Sequence, residues 1–457
     1  MIDDIGTLRA EEYGLLDATG HVYLDYTGAG LPARHQLEAH RSRLESACFG
    51  NPHTESPASA ASTELVEQAR ATILRFFNAS PAEYTAVFTA NATGACRLVG
   101  ESYPFSPDGR LVLLTDNHNS VNGLREYARP AGTPITYVPL TGPDLRADPD
   151  RLDAALAGPG LLAYPAQSNF TGVQHPLDWI ERAHERGMDV LLDAAAFVPT
   201  NRLDLTAVRP DFVPVSFYKM FGYPTGVGCL IARRAALAKL SRPWFSGGTI
   251  QAVSALGGWH VMAPDQSAFE DGTLNFLSIP DVHTGLAWLC RLGIDGIHDR
   301  VHGLTGHLLR GLREAEHGDG SSLIRLYGPD EIDRRGATVA FNVLDRTGRI
   351  VDERIVARDT ANANISVRTG CFCNPGAGEA AFAIDEHLLR GSGSGGTTPR
   401  TLDDYLGLLG LPSGGAIRVS LGVASNKADV DRLLDFLHDT YADQVPDREG
   451  LTPRERC

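Results

Sequence analysis

Residues 213–226, VPVSFYKMFGYPTG, decide the fold of this chain. The apolar run that ends at Ser216 is typical of a buried strand, and Lys219 follows shortly after its end. A lysine at the end of a buried strand is unusual. Surroundings of low dielectric constant and a cationic neighbour would lower the pKa of its amine, as Schiff-base chemistry requires. The chain has only three lysines, Lys219, Lys239 and Lys427, so any lysine chemistry must use one of three positions.

Six further apolar runs lie near this stretch and alternate with helical segments between about residues 84 and 232. With FVPVSFY they are YTAVFTA, RLVLLTD, PITYVPL, GLLAYPA, DVLLDAA and VGCLIA. Runs of this kind, bounded by turn residues, are typical of strands buried on both faces. We expect an α/β fold whose large domain holds a seven-stranded, mostly parallel sheet. Ligands of such sheets bind outside the carboxyl ends of the strands, so the residues after each run are the candidates for a site.

The first candidate follows YTAVFTA, where Asn91, Ala92, Thr93 and Gly94 stand between a strand and a helix. Small residues at a helix N-terminus leave backbone N–H groups free to bind a phosphate, and Thr93 adds a hydroxyl. A simple helix N-cap is the alternative interpretation.

Three more polar residues follow later strands: His118, Asn169 and Asp193. A histidine or a turn asparagine in such a place is often structural. Asp193 needs a partner because an unpaired buried carboxylate is costly, and either a protonated pyridine nitrogen or an arginine would serve.

The order of these groups along the chain is more informative than any one of them. An anion site, an imidazole, an amide, a carboxylate and Lys219 follow successive strands, with Ser216 and Tyr218 beside the lysine. Pyridoxal 5′-phosphate (PLP) needs these groups, for its phosphate, ring face, phenolic oxygen, pyridine nitrogen and aldehyde. The sequence therefore predicts a PLP site.

The second half of the chain differs in pattern and predicts a smaller α+β domain. Residues 284–316 are helical in periodicity, ATVAFNVLD, ISVRTG and AIRVSLG indicate strands, and NKADVDRLLDFLHDTY indicates a closing helix. The Gly/Ser-rich residues 387–401 predict a mobile loop. The expected division is an N-terminal segment 1–30, a large domain 31–284, a small domain 285–443 and a tail 444–457.

Composition excludes several classes of function. The net charge of −15, without a long Lys/Arg cluster, argues against nucleic acid and anionic membranes as partners. The acidic N-terminus MIDDIGTLRAEEYG is unlike a signal peptide, so a cytoplasmic location is expected. Seven scattered cysteines do not indicate a disulfide framework. Cys371 and Cys373 lack the second ligand pair of a structural zinc site, and no metal site is predicted.

Seven strings carry a resemblance to a known family: YLDYTGAG, FGNPH, YPAQSNFTG, SFYKMFGYPTG, FEDGTLNF, VRTGCFCNPGA and IRVSLG. They run from about residue 23 to 423, and SFYKMFGYPTG together with VRTGCFCNPGA is a specific combination. The chain resembles the class V aminotransferase and cysteine desulfurase family, most closely the aminotransferase-like domain of molybdenum cofactor sulfurases. The resemblance implies PLP fold type I and a homodimer.

The resemblance also implies roles for individual residues. Lys219 would carry the cofactor, His118 would stack on its ring, Asp193 would pair with the pyridine nitrogen and Asn169 would contact the phenolic oxygen. The phosphate site would contain Ala92, Thr93, Ser216, Tyr218 and, from the neighbouring subunit, Thr273. Arg418 would bind the substrate carboxylate, which suits a guanidinium, although a surface arginine on a strand is the alternative.

Cys373 matches the position at which this family forms a persulfide. Its place between Gly370 and the turn residues Asn374, Pro375 and Gly376 predicts an exposed, mobile loop, with Arg368 nearby to favour the thiolate. The expected activity is cleavage of a C–S bond of cysteine or a related amino acid, with a protein or a small molecule as sulfur acceptor. Alternatives are a PLP-dependent lyase that does not use Cys373, and a non-catalytic scaffold.

The chain departs from the family pattern in three respects. Gly378 stands where the family string usually ends in another cysteine, and Ala196 stands where cysteine desulfurases generally have a glutamine. We also expect this sequence to lack the further β-rich domain that the resemblance to eukaryotic molybdenum cofactor sulfurases would imply. These differences leave the sulfur acceptor open.

Overall fold

Seven strands form one sheet at the centre of the computed structural model, which describes residues 5–52, 54–384, 387, 401–409, 414–446 and 451. The strands are β1 (Tyr84–Thr89), β2 (Arg110–Leu114), β3 (Ile135–Val138), β4 (Gly160–Pro165), β5 (Met188–Asp193), β6 (Phe212–Ser216) and β7 (Gly228–Arg233). Their order across the sheet is β1-β7-β6-β5-β4-β2-β3. Strand β7 pairs antiparallel with both of its neighbours, and the other pairs are parallel. The predicted seven-stranded, mostly parallel sheet is confirmed.

The sheet is buried on both faces, which is why its strands are almost continuously apolar. In β2, Val112 and Leu114 belong to the core on one side of the sheet. Leu111 and Leu113 belong to a second core on the other side. Since successive side chains of a strand point to opposite faces, one short run of leucine and valine supplies both cores.

Helices cover both faces of the sheet. The longer ones are α1 (Ile5–Glu12), α2 (Arg34–Ser46), α3 (Pro57–Phe76), α4 (Ala92–Ser102), α5 (Ile279–Leu292), α6 (Ile294–Glu314), α7 (Glu353–Asn362), α8 (Leu402–Leu409) and α9 (Lys427–Tyr441). Shorter helices span Leu15–Ala18, Asn119–Asn122, Arg125–Ala128, Pro149–Ala155, Trp179–His184, Phe217–Phe221, Arg234–Leu237 and Pro375–Ala381, with a 3₁₀ turn at Gln266–Phe269.

A second, antiparallel sheet lies in the C-terminal half. Its strands are β8 (Ile324–Tyr327), β9 (Thr338–Val343), β10 (Arg368–Gly370) and β11 (Ala416–Ser420), in the order β8-β9-β11-β10. The three predicted strand regions are confirmed, and so is the closing helix α9. Strand β8 was not predicted, because a four-residue edge strand with a half-exposed middle has too weak a pattern. The predicted helical stretch is divided at Gly293, whose φ of 81° ends α5.

The N-terminal segment packs against this second sheet. Val22–Tyr23 pairs in parallel with Ile365–Ser366, and Asp25 forms an isolated parallel bridge with Ser420 of β11. This pairing brings Asp25 to the strand that carries Arg418. Two other short pairings complete the strands of the described residues: Leu140–Thr141 with Arg146–Ala147, and Ile250–Ser254 with Trp259–Met262, which forms a hairpin. The domain boundaries at 30, 284 and 443 stay predictions, and residues 388–400 of the predicted Gly/Ser loop lie outside the described residues.

Candidate active site

A cavity of about 320 Å³ opens at the carboxyl ends of the parallel strands, where the sequence places the site. It is lined by Ala90, Asn91, Ala92, Thr93, Cys96, His118, Ser120, Pro165, Gln167, Asn169, Asp193, Ala195, Ala196, Ser216, Tyr218, Lys219, Thr225 and Gly226. Since the parallel strands all end at this edge of the sheet, residues that are more than a hundred positions apart in the sequence meet here.

One end of the cavity is built around the N-terminus of α4. Asn91 caps this helix, since its side-chain oxygen accepts a hydrogen bond from Gly94 N at 2.9 Å. Ala92 N donates to Ser216 Oγ at 3.0 Å, and Thr93 Oγ1 lies 2.7 Å from Ser120 Oγ. Hydroxyl groups and a positive helix end together form a surface suited to an anion. The N-cap and the anion site, alternatives in the sequence, are therefore compatible.

His118 is held as a neutral ring. Its Nδ1 accepts a hydrogen bond from Ser120 N at 3.1 Å, so the ring proton lies on Nε2. Burial lowers the pKa of His118 to about 4, and the positive charges of Lys219 and Arg418 add to this effect while Asp193 opposes it. A neutral imidazole with a fixed tautomer can cover an aromatic ligand or exchange a proton through Nε2.

Asp193 and Lys219 face the same cavity. One carboxylate oxygen of Asp193 accepts from Ala195 N at 3.0 Å, and within the described residues Asp193 makes no ion pair. Burial lowers the pKa of Lys219; the Asp193 carboxylate opposes this and the Arg418 guanidinium adds to it. The lysine is thus buried and biased toward the free amine, which is the form that attacks a carbonyl carbon.

A second, smaller cavity of about 180 Å³ adjoins the first. Its lining consists of Thr27, Gly28, His118, Asn169, Tyr218, Lys219, Arg368, Thr369, Cys371, Phe372, Cys373 and Arg418. Four of these residues, His118, Asn169, Tyr218 and Lys219, line both cavities. The lysine and the histidine therefore stand between a large chamber with an anion site and a small chamber with an arginine and a cysteine.

Arg418 is almost wholly buried at the inner wall of the small chamber. Its Nη2 lies 3.0 Å from Asp25 Oδ1, its Nη1 donates to Asn169 O at 3.1 Å, and its guanidinium lies 4.7 Å from the centre of the Phe372 ring. The Nε atom is buried and has no hydrogen-bond partner among the described residues. A buried guanidinium with an unused N–H is suited to a carboxylate ligand, and the surface-arginine alternative is excluded by its burial.

Cys373 lies at the mouth of the small chamber and is exposed, as the sequence predicts. The loop around it is nevertheless held by hydrogen bonds. Asn169 Nδ2 donates to Phe372 O at 2.8 Å, and Asn119 N donates to Cys373 O at 2.8 Å. Asn374 Nδ2 donates to Asn169 Oδ1, also at 2.8 Å. Asn169, predicted to contact the cofactor, thus also ties the site to the Cys373 loop.

The structure places every predicted site residue except Thr273 in one of the two adjoining cavities. Thr273 lines a separate pocket of about 370 Å³ beyond Ala90 and Gly226, two residues that also line the large chamber. Thr273 therefore lines neither of the two adjoining cavities of its own chain. Its role at the phosphate site of a neighbouring subunit stays a prediction.

Several residues in or beside the two cavities were not predicted to have a role there, among them Asp25, Ser120, Phe372 and Asn374. Asp25, Phe372 and Asn374 lie within strings that carry the family resemblance, but nothing in those strings indicates which residues their side chains contact. The cavity also contains a glutamine, Gln167, whose Nε2 donates to Ala196 O at 3.0 Å. A glutamine amide therefore lies beside the position where the sequence lacks one.

No helix within the described ranges has the length and apolar character needed to cross a membrane. In the same part of the chain, no group of three or more His, Cys, Asp or Glu side chains is arranged to hold a metal ion.

Comparison with known proteins agrees with this geometry. The sequence model of the class-V aminotransferase family matches residues 22–433. The molybdenum cofactor sulfurase of Homo sapiens is 36% identical over 460 residues, which cover 95% of this chain and 51% of that protein. The sulfurase of Solanum lycopersicum is 34% identical, over 99% of this chain and 59% of its own length. The chain thus spans little more than half the length of these relatives.

Solved structures show the same fold. The apo structure of a cysteine desulfurase from Thermococcus onnurineus NA1 has a TM-score of 0.77 at 23% identity, covering 95% of this chain and 97% of that one. A C-DES mutant with glycine covalently linked to the PLP cofactor has a TM-score of 0.71 at 18% identity, covering 94% and 99%. The expected fold type I is confirmed by these likenesses.

Proposed function

This chain belongs to the class-V aminotransferase family, and from that premise we propose that it is a PLP-dependent enzyme that removes the sulfur of cysteine or a closely related amino acid. The observation that carries the proposal is the position of Lys219 between an anion-binding chamber and a chamber that contains Arg418 and Cys373.

The residues present fit PLP. The helix end with Thr93 and Ser216 suits the phosphate, and the Asp193 carboxylate, without an ion pair among the described residues, suits a protonated pyridine nitrogen. Lys219 is an amine biased toward its neutral form. When bound, PLP supplies an electron sink for negative charge that develops on the amino acid. Asp193 would keep that sink effective by holding the ring nitrogen protonated.

The small chamber would bind and orient the substrate. Arg418 would bind the α-carboxylate through its unused N–H groups, with its guanidinium kept in place by Asp25 and Asn169. Lys219 lies on the boundary of the two chambers, so its amine can take and return a proton at Cα. His118, neutral and with its proton on Nε2, can donate that proton to the substrate or receive one in return.

Cys373 would accept the sulfur atom. Its thiolate attacks the substrate sulfur, an S–S bond forms and the Cβ–S bond breaks. The electron pair of the broken bond stays on Cβ, which takes up a proton, so cysteine becomes alanine. The sulfur of Cys373 is oxidised to a persulfide while Cβ is reduced, so no external oxidant or reductant is needed. Release of the persulfide sulfur to a protein or small-molecule acceptor would complete turnover.

We also propose that two copies of the chain form a homodimer that completes the phosphate site with Thr273. The hairpin Ile250–Ser254 with Trp259–Met262 exposes large apolar side chains, namely Val253, Leu256, Trp259 and Val261. An apolar surface of this kind marks a protein interface. It precedes Thr273 by a short stretch of chain, so an interface there would bring Thr273 toward a neighbouring subunit. The cytoplasmic location expected from the sequence stays a prediction.

The test compares purified wild type with Cys373→Ser. Wild type incubated with PLP and cysteine should release alanine and carry an extra sulfur atom on the peptide that contains Cys373, detected by mass spectrometry. The variant should lose both signals. Consumption of cysteine that survives the substitution without alanine release would favour a lyase without a role for Cys373. A wild type that leaves cysteine unconsumed would refute desulfuration.

A further inference from the structure

Asn374 is wholly buried directly behind Cys373, and its side chain makes three hydrogen bonds. Its Nδ2 donates to Asp116 O at 2.7 Å and to Asn169 Oδ1 at 2.8 Å. Its Oδ1 accepts from Ala377 N at 3.2 Å and so caps the short helix that follows. One side chain thus connects the Cys373 loop to the end of strand β2 and to Asn169 at the cofactor cavity.

The backbone around Cys373 is in a conformation that needs such support. Phe372 and Cys373 have φ angles of 56° and 53°, in the left-handed region that side chains other than glycine rarely adopt. Two consecutive residues persist there only where their surroundings hold them. A β-carbon at Gly376 would lie 2.1 Å from Thr115 O, so the loop is also pressed closely against the residue after strand β2.

The bonding pattern requires an amide at position 374. Its two N–H groups face two oxygen atoms, Asp116 O and Asn169 Oδ1, and its oxygen faces the N–H of Ala377. An aspartate has nearly the same shape but, when ionised, no hydrogen to donate. It would place a carboxylate against both oxygens in a site closed to solvent, which is costly.

The same network reaches the substrate arginine. Arg418 Nη1 donates to Asn169 O, and Asn169 Nδ2 donates to Phe372 O. The Arg418 guanidinium also lies over the Phe372 ring. The group that would bind the α-carboxylate and the loop that would accept the sulfur are therefore two ends of one set of contacts, with the Asn169–Asn374 bond between them.

We propose that Asn374 is a positioning residue that fixes Cys373 at the mouth of the substrate chamber, in register with Arg418. This inference rests on the proposed function, in which Cys373 accepts the sulfur. It explains how such a cysteine can be exposed and still be directed at the substrate. Asn374 lines neither cavity, so it acts through the backbone of residues 372–377 and through Asn169.

The experiment measures how fast iodoacetamide alkylates each cysteine in the native protein, by peptide mass spectrometry. Wild type is compared with Asn374→Asp and Asn374→Ala. Cys48 and Cys290 are exposed and serve as internal references, while Cys96 and Cys229 are buried and react only if the protein opens. Asn201→Asp is the matched control. Asn201 is also buried, with its Nδ2 bonded to Phe197 O at 2.8 Å and its Oδ1 to Gln174 at 3.0 Å, but it does not contact the Cys373 loop.

Release of the loop should raise the alkylation rate of Cys373, relative to Cys48 and Cys290, by about fivefold or more in both Asn374 variants. Alanine release from cysteine should fall by about tenfold or more, because the thiolate no longer lies in line with the substrate. Cys96 and Cys229 should stay unreactive, and Asn201→Asp should leave the Cys373 ratio at the wild-type value.

Three results would overturn the inference. The first is an alkylation rate of Cys373, relative to Cys48 and Cys290, that is unchanged in both Asn374 variants. The second is an equal rise of this relative rate in Asn201→Asp. The third is alkylation of Cys96 and Cys229 together with Cys373 in both Asn374 variants, which would indicate general opening of the protein. The alkylation comparison does not depend on turnover. Wild type that releases no alanine would therefore refute the proposed desulfuration while the role of Asn374 is still decided by the alkylation rates.

Discussion

Asp25 Oδ1 lies 3.0 Å from Arg418 Nη2, and this ion pair joins the N-terminal segment to strand β11 at the substrate chamber. Asp25 also lies 3.8 Å from the exposed Arg368. One carboxylate is therefore shared between two guanidinium groups. Two positive charges against one negative charge leave a net charge of about +1 on this group, enough to balance one substrate carboxylate. This balance suits an amino acid whose side chain is neutral.

The first prediction concerns this charge balance. Asp25→Asn keeps an oxygen near Arg418 but removes the negative charge, so a substrate with a second acid group should be better tolerated. Binding of aspartate relative to alanine, measured by titration of the holoenzyme spectrum, should improve on the order of tenfold. An unchanged ratio of the two dissociation constants would show that Asp25 does not set substrate charge.

The second prediction concerns the cofactor lysine. Holoenzyme reduced with borohydride should carry the pyridoxyl group on Lys219, as shown by peptide mapping. The other two lysines provide the comparison, because Lys239 pairs with Asp189 and Lys427 with Asp431, each at 2.6 Å and on the surface. A label on either of them, or on none of the three, would contradict the assignment.

The third prediction concerns Asp193. Asp193→Asn should fold and retain much of its PLP, since the asparagine can still accept the hydrogen bond from Ala195 N. Its turnover should fall about a hundredfold or more, because the ring nitrogen loses its proton and the cofactor its capacity to accept electrons. Turnover within a few fold of wild type would remove Asp193 from the site.

The fourth prediction concerns the substrate carboxylate. Arg418→Ala should raise KM for cysteine strongly, since loss of a buried charge-assisted contact costs about 2–5 kcal/mol. Arg202→Ala is the matched control: Arg202 also pairs with an aspartate, Asp295 at 2.7 Å, but its side chain is 60% exposed and lines neither cavity, so we expect little change in KM. Equal effects of the two substitutions would place the carboxylate elsewhere.

The fifth prediction concerns the pH dependence of stability. The pKa of His118 is about 4 in the folded protein, below its ordinary value of 6.5, so protons bind more readily to the unfolded chain. The contribution of the neutral ring to stability is complete above pH 6.5 and is lost as the pH falls toward 4. Relative to His118→Asn, wild type should lose roughly 1 kcal/mol between pH 7.5 and 6.

The measurement for His118 is the difference in thermal unfolding midpoint between the two proteins at each pH. A difference that stays constant from pH 7.5 to 6 would mean that the His118 ring titrates alike in the folded and unfolded protein. A difference that grows in favour of wild type at low pH would mean that the folded protein holds this ring as a cation.

The sheet and the main site residues could be predicted because their signals are local. Each of the seven apolar runs became a strand. His118, Asp193 and Lys219 each follow one of those runs, so a parallel sheet necessarily brings them to one edge. Less could be predicted in the small domain, where β8 is short and half exposed. At Cys373 the exposure was predicted, but not the hydrogen bonds between its loop and Asn169.

The sequence by itself thus determined the fold class, the PLP lysine as a hypothesis and the end of the sheet at which a ligand would lie, because strand periodicity and strand ends are encoded within a few residues of each other. Only the tertiary structure decided which groups share the substrate chamber. Asp25 meets Arg418 across 393 residues, and Asn374 meets Asn169 across 205. Such contacts depend on how the N-terminal segment, the second sheet and the Cys373 loop pack together, and no pattern within a short stretch of sequence specifies that packing.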